Sequence, residues 1–253
     1  MKGECTVKII KDIPYVENGH KRQKFDIYLP DADTFKVFIY FHGGGFRTGS
    51  KDNELNKIFG EFMTDNGYAL VCANYRLSPE ARYPDYVYDA AACVAHVKKN
   101  IENHGKCERI YVGGSSAGAY LSMMLCFDEK YLKWYDVNPI EIDGWFHDAG
   151  QPTSHFGIMR ERGFERYKVV VDESAPMYHV GDQKEYSPMR FIVSDNDMPA
   201  RYEQTMLMIA TMKSFNYDMD KVSLKVMNGT HGAYAKDRKL LGSMICEFLD
   251  SLK

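Results

Sequence analysis

The sequence has no apolar run long enough to span a bilayer. Its longest hydrophobic stretches, such as Val37 to Phe41, have strand length, whereas a spanning helix needs about 18 or more apolar residues. It has no basic excess either: 32 Lys and Arg face 35 Asp and Glu, a net charge of −3. Nothing therefore marks a surface for a phosphate backbone, and neither nucleic acid nor membrane is expected as a partner. The six cysteines (Cys5, Cys72, Cys93, Cys107, Cys126 and Cys246) are scattered without a CxxC pair. No disulfide framework or metal-ligand spacing is present, so reduced, mostly buried thiols in a cytoplasmic protein are expected, with no metal and no cofactor. The first residues carry Lys2, Glu4, Lys8 and Lys11 and no apolar core, so no signal peptide is expected. There is no internal repeat, low-complexity tract or charge block.

What is there is ordinary for a folded protein: 45% hydrophobic and 26% charged residues over 253 positions, which excludes disorder. A chain of this length suits one domain over residues 1–253, large enough to need no disulfide or metal to hold it together. Strand-like and helix-like segments alternate. Phe25–Leu29, Lys36–Phe41, Ala69–Ala73, Arg109–Val112, Ile140–Phe146, Met189–Val193 and Val222–Val226 read as strands. Asp85–Asn100 has Val87, Ala91, Val94 and Val97 at helical spacing, between Pro84 and Gly105, as helix boundaries prefer. Ala117–Phe127, Arg201–Phe215 (Tyr202, Met206, Ile209 and Met212 on one face) and Lys239–Leu252 read as further helices. This alternation implies right-handed crossovers and a mostly parallel sheet with helices on both faces, an α/β architecture. Residues 148–187 break the rhythm and are expected to form a lid or substrate-binding insertion.

Two motifs carry chemistry. Gly114-Ser115-Ser116-Ala117-Gly118 follows a strand and opens a helix, the setting in which G-x-S-x-G forms a sharp, strained turn. Small residues at −2 and +2 let the central residue, Ser116, stand above the sheet. The second motif, His42-Gly43-Gly44-Gly45-Phe46, directly follows Lys36–Phe41. Its glycines can turn backbone N–H groups inward as oxyanion donors. A phosphate loop is the competing reading, but neither Gly-Lys-Ser/Thr nor G-x-G-x-x-G fits.

Taken in order, HGGGF, GSSAG, SDND (Ser194–Asp197) and GTHG (Gly229–Gly232) resemble an α/β-hydrolase esterase. The nearest resemblance is to the short feruloyl- and acetyl-esterase-like branch, with its kynurenine-formamidase-like cousins. Tyr75-Arg76-Leu77-Ser78-Pro79-Glu80, with Tyr83-Pro84 and Asp89, resembles a stretch of the hormone-sensitive-lipase group. That group has a long N-terminal cap, which the roughly 35 residues before the HGGG strand are too few to supply. The resemblance covers about residues 25–252.

It implies a triad in the chain order Ser, acid, His. Of the eight histidines, His231 follows a strand and precedes the last helix, as the base should. His155 and His179 come before any plausible acid. For the acid, the family's G-x-x-D register places Ser194 at the Gly position and Asp197 at the carboxylate, with Asp195 as competitor. Asp197 or Pro199 could instead only begin the next helix. Gly44, Gly45 and Ala117 are the expected oxyanion donors. His42, Phe46, Ser115, His147, Gln151 and His155 are expected to border a small-molecule ester, His42 bracing the glycine loop and Gln151–Phe156 contacting a sugar or phenolic alcohol or merely turning. The implied reaction is hydrolysis of a short-acyl or aromatic-acyl ester through an acyl-enzyme. Amide hydrolysis by an arylformamidase or exopeptidase is the alternative, and a non-catalytic binding module a third reading. The sequence does not specify the oligomeric state.

Overall fold

The computed structural model of the protein describes residues 7–165 and 167–252. Three strands, β1 (Lys8–Pro14), β2 (Lys24–Leu29) and β3 (Thr34–Phe41), lead into helix α1 (Leu55–Asp65) and strand β4 (Tyr68–Ala73). Helix α2 (Asp85–Asn100), strand β5 (Lys106–Ser115), helices α3 (Ala117–Phe127) and α4 (Lys130–Lys133), and strand β6 (Gly144–Asp148) follow. Helix α5 (Phe156–Glu161), strand β7 (Met189–Asn196), helix α6 (Arg201–Ser214), strand β8 (Val222–Thr230) and helix α7 (Arg238–Ser251) complete the chain. The strands form one sheet in the order β1-β2-β4-β3-β5-β6-β7-β8. β1, β2 and β4 pair antiparallel, while all pairings from β4 through β3 to β8 are parallel.

The two-sided apolar character of the central strands follows from this layering. In β3, Val37, Ile39 and Phe41 face one core with Val87, Tyr120 and Met208 from α2, α3 and α6. Phe38 and Tyr40 face the other, with Phe59 and Met63 from α1 and Leu241, Ile245 and Phe248 from α7. Both cores lie against a parallel sheet whose carboxyl edge collects the ends of β3, β5, β6, β7 and β8, where such sheets bind ligands.

Several expectations need correction. β6 starts at Gly144, not Ile140, because Asn138 and Glu141 form a reciprocal cap on the 3-10 turn Pro139–Glu141. The buried face of α6 is Arg201, Gln204, Thr205, Met208 and Met212, while Met206 is exposed. β1 and α1 escaped the pattern of the sequence altogether. Residues 148–187, Arg166 aside, combine a packed first part with an exposed stretch in which Phe164, Tyr167, Val169 and Val171 stand in solvent. Thr153, Ser154, His155, Ile158 and Met159 are buried, and Asp172 ties the segment together by accepting from Ser154 Oγ (3.0 Å) and Arg162 Nη1 (2.7 Å). Cys72, Cys93, Cys107, Cys126 and Cys246 are free thiols, and Cys5 lies outside the described residues. No helix among the described residues is long and apolar enough to cross a membrane.

Candidate active site

β5 ends in the turn that carries Ser116. Its backbone sits at φ 56°, ψ −113°, a conformation that L-residues adopt only when the surroundings enforce it. Here the Ser116 N–H donates to the Asp148 carbonyl at 2.7 Å and the Ser116 carbonyl accepts from Tyr120 N at 3.0 Å. The turn tolerates no bulk: a Cβ on Gly118 would run into the Phe41 carbonyl, and one on Gly114 into Gly118. These contacts are the physical reason for the glycines at −2 and +2.

His231 follows β8 directly. Its Nε2 lies 2.9 Å from Ser116 Oγ, and its Nδ1 2.6 Å from Asp197 Oδ1. The Asp197 side chain is fully buried. It also accepts from Met198 N (2.7 Å) and Ser194 N (3.2 Å). Burial alone would push its carboxyl up, but the hydrogen bond and charge of His231 and the two backbone donors hold it below the usual range. Asp195 is exposed and accepts instead from Gly229 N at 2.8 Å, bracing β7 against the end of β8.

The glycine loop after β3 lies across from Ser116. Gly44 and Gly45 have φ of +119° and +59°, values open to glycine at little cost. The Gly44 carbonyl accepts from Arg47 N (3.0 Å) and Thr48 N (3.1 Å), closing the loop. Ala117 is the first residue of α3, so its N–H has no partner within the helix.

The ring of His42 is stacked on Tyr75 with centroids 4.5 Å apart. Its Nδ1–H donates to the Gly43 carbonyl at 2.6 Å, and Nε2 accepts from Arg22 Nη2 at 3.3 Å. Burial brings its pKa down to about 4, so the ring is a neutral brace. Tyr75 Oη donates to the His42 carbonyl at 2.8 Å, and Arg76 grips the buried Asp89 through Nε and Nη2. The Tyr75–Glu80 stretch and Asp89 thus support the loop from behind.

Ser116, His231, His42, Gly44, Gly45 and Ser115 line one open cleft of about 550 Å³, together with Tyr40, Phe156, Met198, Lys236 and Arg238. The remaining residues expected at the substrate are elsewhere. Phe46 is fully buried, stacked on Tyr86 at 4.0 Å. His147 points to the opposite face of β6 from Asp148, where Nδ1 meets Ser122 Oγ at 2.9 Å and burial lowers its pKa to about 3. His155 is buried against Phe46, Phe156 and Tyr120, and its Nδ1 accepts from Gly157 N at 3.0 Å. Gln151 is buried behind the cleft, accepting from Phe156 N (3.1 Å) and Arg201 Nη2 (3.2 Å).

Sequence reasoning missed a buried network beneath Ser116. Asp148 ends β6 and is paired in parallel register with Ser115. Its carboxyl accepts from Ser115 Oγ and Tyr234 Oη, and burial pushes its pKa up. Tyr40 Oη donates to Ser115 Oγ at 3.0 Å, and Arg238 Nη1 donates to Tyr40 Oη at 3.1 Å. An Asp closing a strand at the carboxyl edge was the available signal.

Known proteins resemble this chain to different depths. A probable isoprenylcysteine alpha-carbonyl methylesterase of Arabidopsis thaliana is 32% identical over 117 residues, 45% of this chain and 27% of that protein. An acetyl esterase of Salmonella schwarzengrund is 30% identical over 114 residues, 44% of this chain and 35% of that protein. The matches thus span about a third or less of these relatives. Among solved structures, a truncated carbohydrate esterase from gut microbiota superposes with a TM-score of 0.80 at 17% identity, covering 99% of this chain and 98% of that one. Esterase B of Lactobacillus rhamnosis follows at 0.78 and 16%, covering 97% and 87%. At such identities the likeness establishes the architecture, the α/β-hydrolase fold. The family model described as BD-FAE matches residues 25–176, more than half of the sequence and the stretch that supplies the glycine loop and the Ser116 turn, and the chain belongs to the BD-FAE family.

Proposed function

We propose that the protein is a serine hydrolase of carboxylic esters with a short acyl or aromatic acyl group. One observation carries the reading: Ser116 Oγ, the His231 ring and the buried Asp197 carboxylate stand in a continuous hydrogen-bonded line with contacts of 2.9 and 2.6 Å. In the reaction, His231 Nε2 takes the Ser116 proton as Oγ bonds to the ester carbonyl carbon. Asp197 holds the Nδ1–H tautomer and steadies the imidazolium. The N–H groups of Gly44, Gly45 and Ala117 receive the negative charge that develops on the carbonyl oxygen. The ester C–O bond then breaks, the alcohol leaves with the proton from His231, and water releases the acid from the acyl-enzyme by the same route. The names of the partial relatives, a methylesterase and an acetyl esterase, support ester chemistry. The free thiols support a reducing, cytoplasmic setting.

The test is a panel of 4-nitrophenyl acyl esters of rising chain length, with methyl ferulate, acetylated xylo-oligosaccharide and N-formylkynurenine alongside. Hydrolysis of the esters, lost by about 10³-fold or more in Ser116→Ala, is the expected result. Preferential turnover of the formamide would replace the ester reading with the amide one. Undiminished hydrolysis by Ser116→Ala would remove the nucleophile.

A further inference from the structure

The cleft around Ser116 is not evenly charged. Lys236 and Arg238 line it, and no Asp or Glu is among its described lining residues. Both cations come from the segment just after His231: Lys236 ends the 3-10 turn Tyr234–Lys236, and Arg238 opens α7. Arg238 is held in place. Its Nη1 donates to Tyr40 Oη at 3.1 Å, and its guanidinium stands 5.8 and 6.0 Å from the rings of Tyr40 and Phe59. Among the described residues neither cation pairs with a carboxylate. The acids nearby are committed. Both Asp148 oxygens accept hydroxyl protons from Ser115 and Tyr234, and Asp197 serves His231.

A half-buried guanidinium normally finds its counter-charge within the protein. Here the open side of that group is the cleft. A guanidinium matches a carboxylate geometrically and gives strong charge-assisted hydrogen bonds. A volume of about 550 Å³ suits a small ligand with a few placed polar contacts. We propose that the substrate carries a carboxylate, received by Arg238 and Lys236 at one wall of the cleft while the ester carbonyl stands at Ser116. The inference rests on the ester-hydrolase reading and adds to it the charge class of the substrate.

Two matched ester pairs test it. On the alcohol side, 4-acetoxybenzoate is compared with its methyl ester. On the acyl side, 4-nitrophenyl hemisuccinate is compared with its methyl ester. In one pair the charged member should show a kcat/KM about tenfold or more above the neutral one, mostly through KM, the size expected for one charge-assisted contact. Added salt should shrink the preference. Arg238→Gln should abolish most of it, Arg238→Lys should keep part, and the exposed Lys236→Gln should lower it by a smaller factor. Each comparison is a ratio within one variant, so a general loss of activity does not imitate the result. No preference in either pair, or a preference that survives Arg238→Gln with Lys236→Gln, overturns the proposal. If no ester is hydrolysed at all, the ester reading fails by itself. The anion site is then read from thermal midpoints: benzoate, but not neutral benzamide, should stabilise the wild type and not Lys236→Gln with Arg238→Gln. Equal shifts with both ligands, or none, overturn it.

Discussion

Asp195 and Asp197 are two residues apart and chemically identical, yet their surroundings give them different work. Asp195 lies in solvent and receives one backbone N–H, that of Gly229. Asp197 is enclosed, receives two backbone N–H groups, and meets His231 Nδ1 at 2.6 Å. Asp197→Asn keeps the shape but presents an amide where the imidazole needs an acceptor, favouring the wrong tautomer. A loss approaching 10⁴-fold in kcat is expected by comparison with proteases of this mechanism, about an order less for an activated ester. Asp195→Asn should stay within about tenfold, since a neutral amide oxygen can still accept from Gly229. Steady-state rates on one 4-nitrophenyl ester decide this, and equal losses would refute the division of labour. Ser115 and Ser116 are separable in the same assay. Ser115→Ala removes a link between Tyr40 and Asp148 but not the attacking oxygen, so its loss should be far smaller than that of Ser116→Ala.

At the scale of elements, what could be read in the sequence was what short-range physics dictates. The Ser116 turn was legible because close approach of Phe41 and Gly118 demands glycine at fixed spacing. α2 and α3 were legible to the residue because Pro84 and the apolar spacing bound one, and the Ser116 turn starts the other. β1 was not, because it is an edge strand paired on one side only and mostly exposed. α1 was not, because exposed Leu55 and Ile58 blur its apolar face. The meeting of Asp148, Ser115, Tyr234 and Arg238 depends on the parallel register of β5 and β6 and on the turn after His231, neither of which has a local signature. His147 was expected at the substrate, but strand alternation sends it to the face of β6 opposite Asp148, where it meets Ser122. The start of α7 offers a test at this scale. Asp237 caps it by accepting from Lys239 N (3.0 Å) and Leu240 N (3.1 Å). Asp237→Ala should cost about 1 kcal/mol of stability, seen as a lower urea midpoint. Because the capped end carries Arg238, the same variant should weaken any preference for a charged ester before it slows hydrolysis of a neutral one. An unchanged midpoint would show that the cap contributes nothing.

For the whole molecule, the fold buries several histidines as neutral rings. His42 braces the glycine loop, and burial and the Arg22 charge lower its pKa to about 4, against the opposing Gly43 hydrogen bond. His147 lies between α3 and β7 against Phe127 and Phe191, lowered by burial to about 3. His155 sits under α5, lowered by burial and by the charges of Arg201, Arg160 and His231. In the unfolded chain each imidazole takes up a proton near pH 6.5, whereas the fold holds His42 down to about 4 and His147 to about 3, with His155 lowered as well. Between those limits the unfolded state binds more protons, so stability falls as pH falls. The contribution is fully present above about pH 6.5 and is lost on the way to the folded values. Each ring can add on the order of 1 kcal/mol per pH unit within that window. The depressed carboxyls act lower down: Asp172, held at about 2 against burial by Ser174, Arg162 and Ser154, stabilises above about pH 4 and ceases to do so as the pH drops towards 2. Urea midpoints measured from pH 7 to pH 4.5 should therefore decline, the histidine effect outweighing the opposite-signed one of the raised Asp148 and Glu161 carboxyls. His147→Gln removes one titrating ring without touching the cleft, so its curve should start lower, for lost packing, and decline less steeply. A midpoint that is flat from pH 7 to pH 5, or a slope unchanged by that substitution, would mean that these rings are not held neutral by the fold.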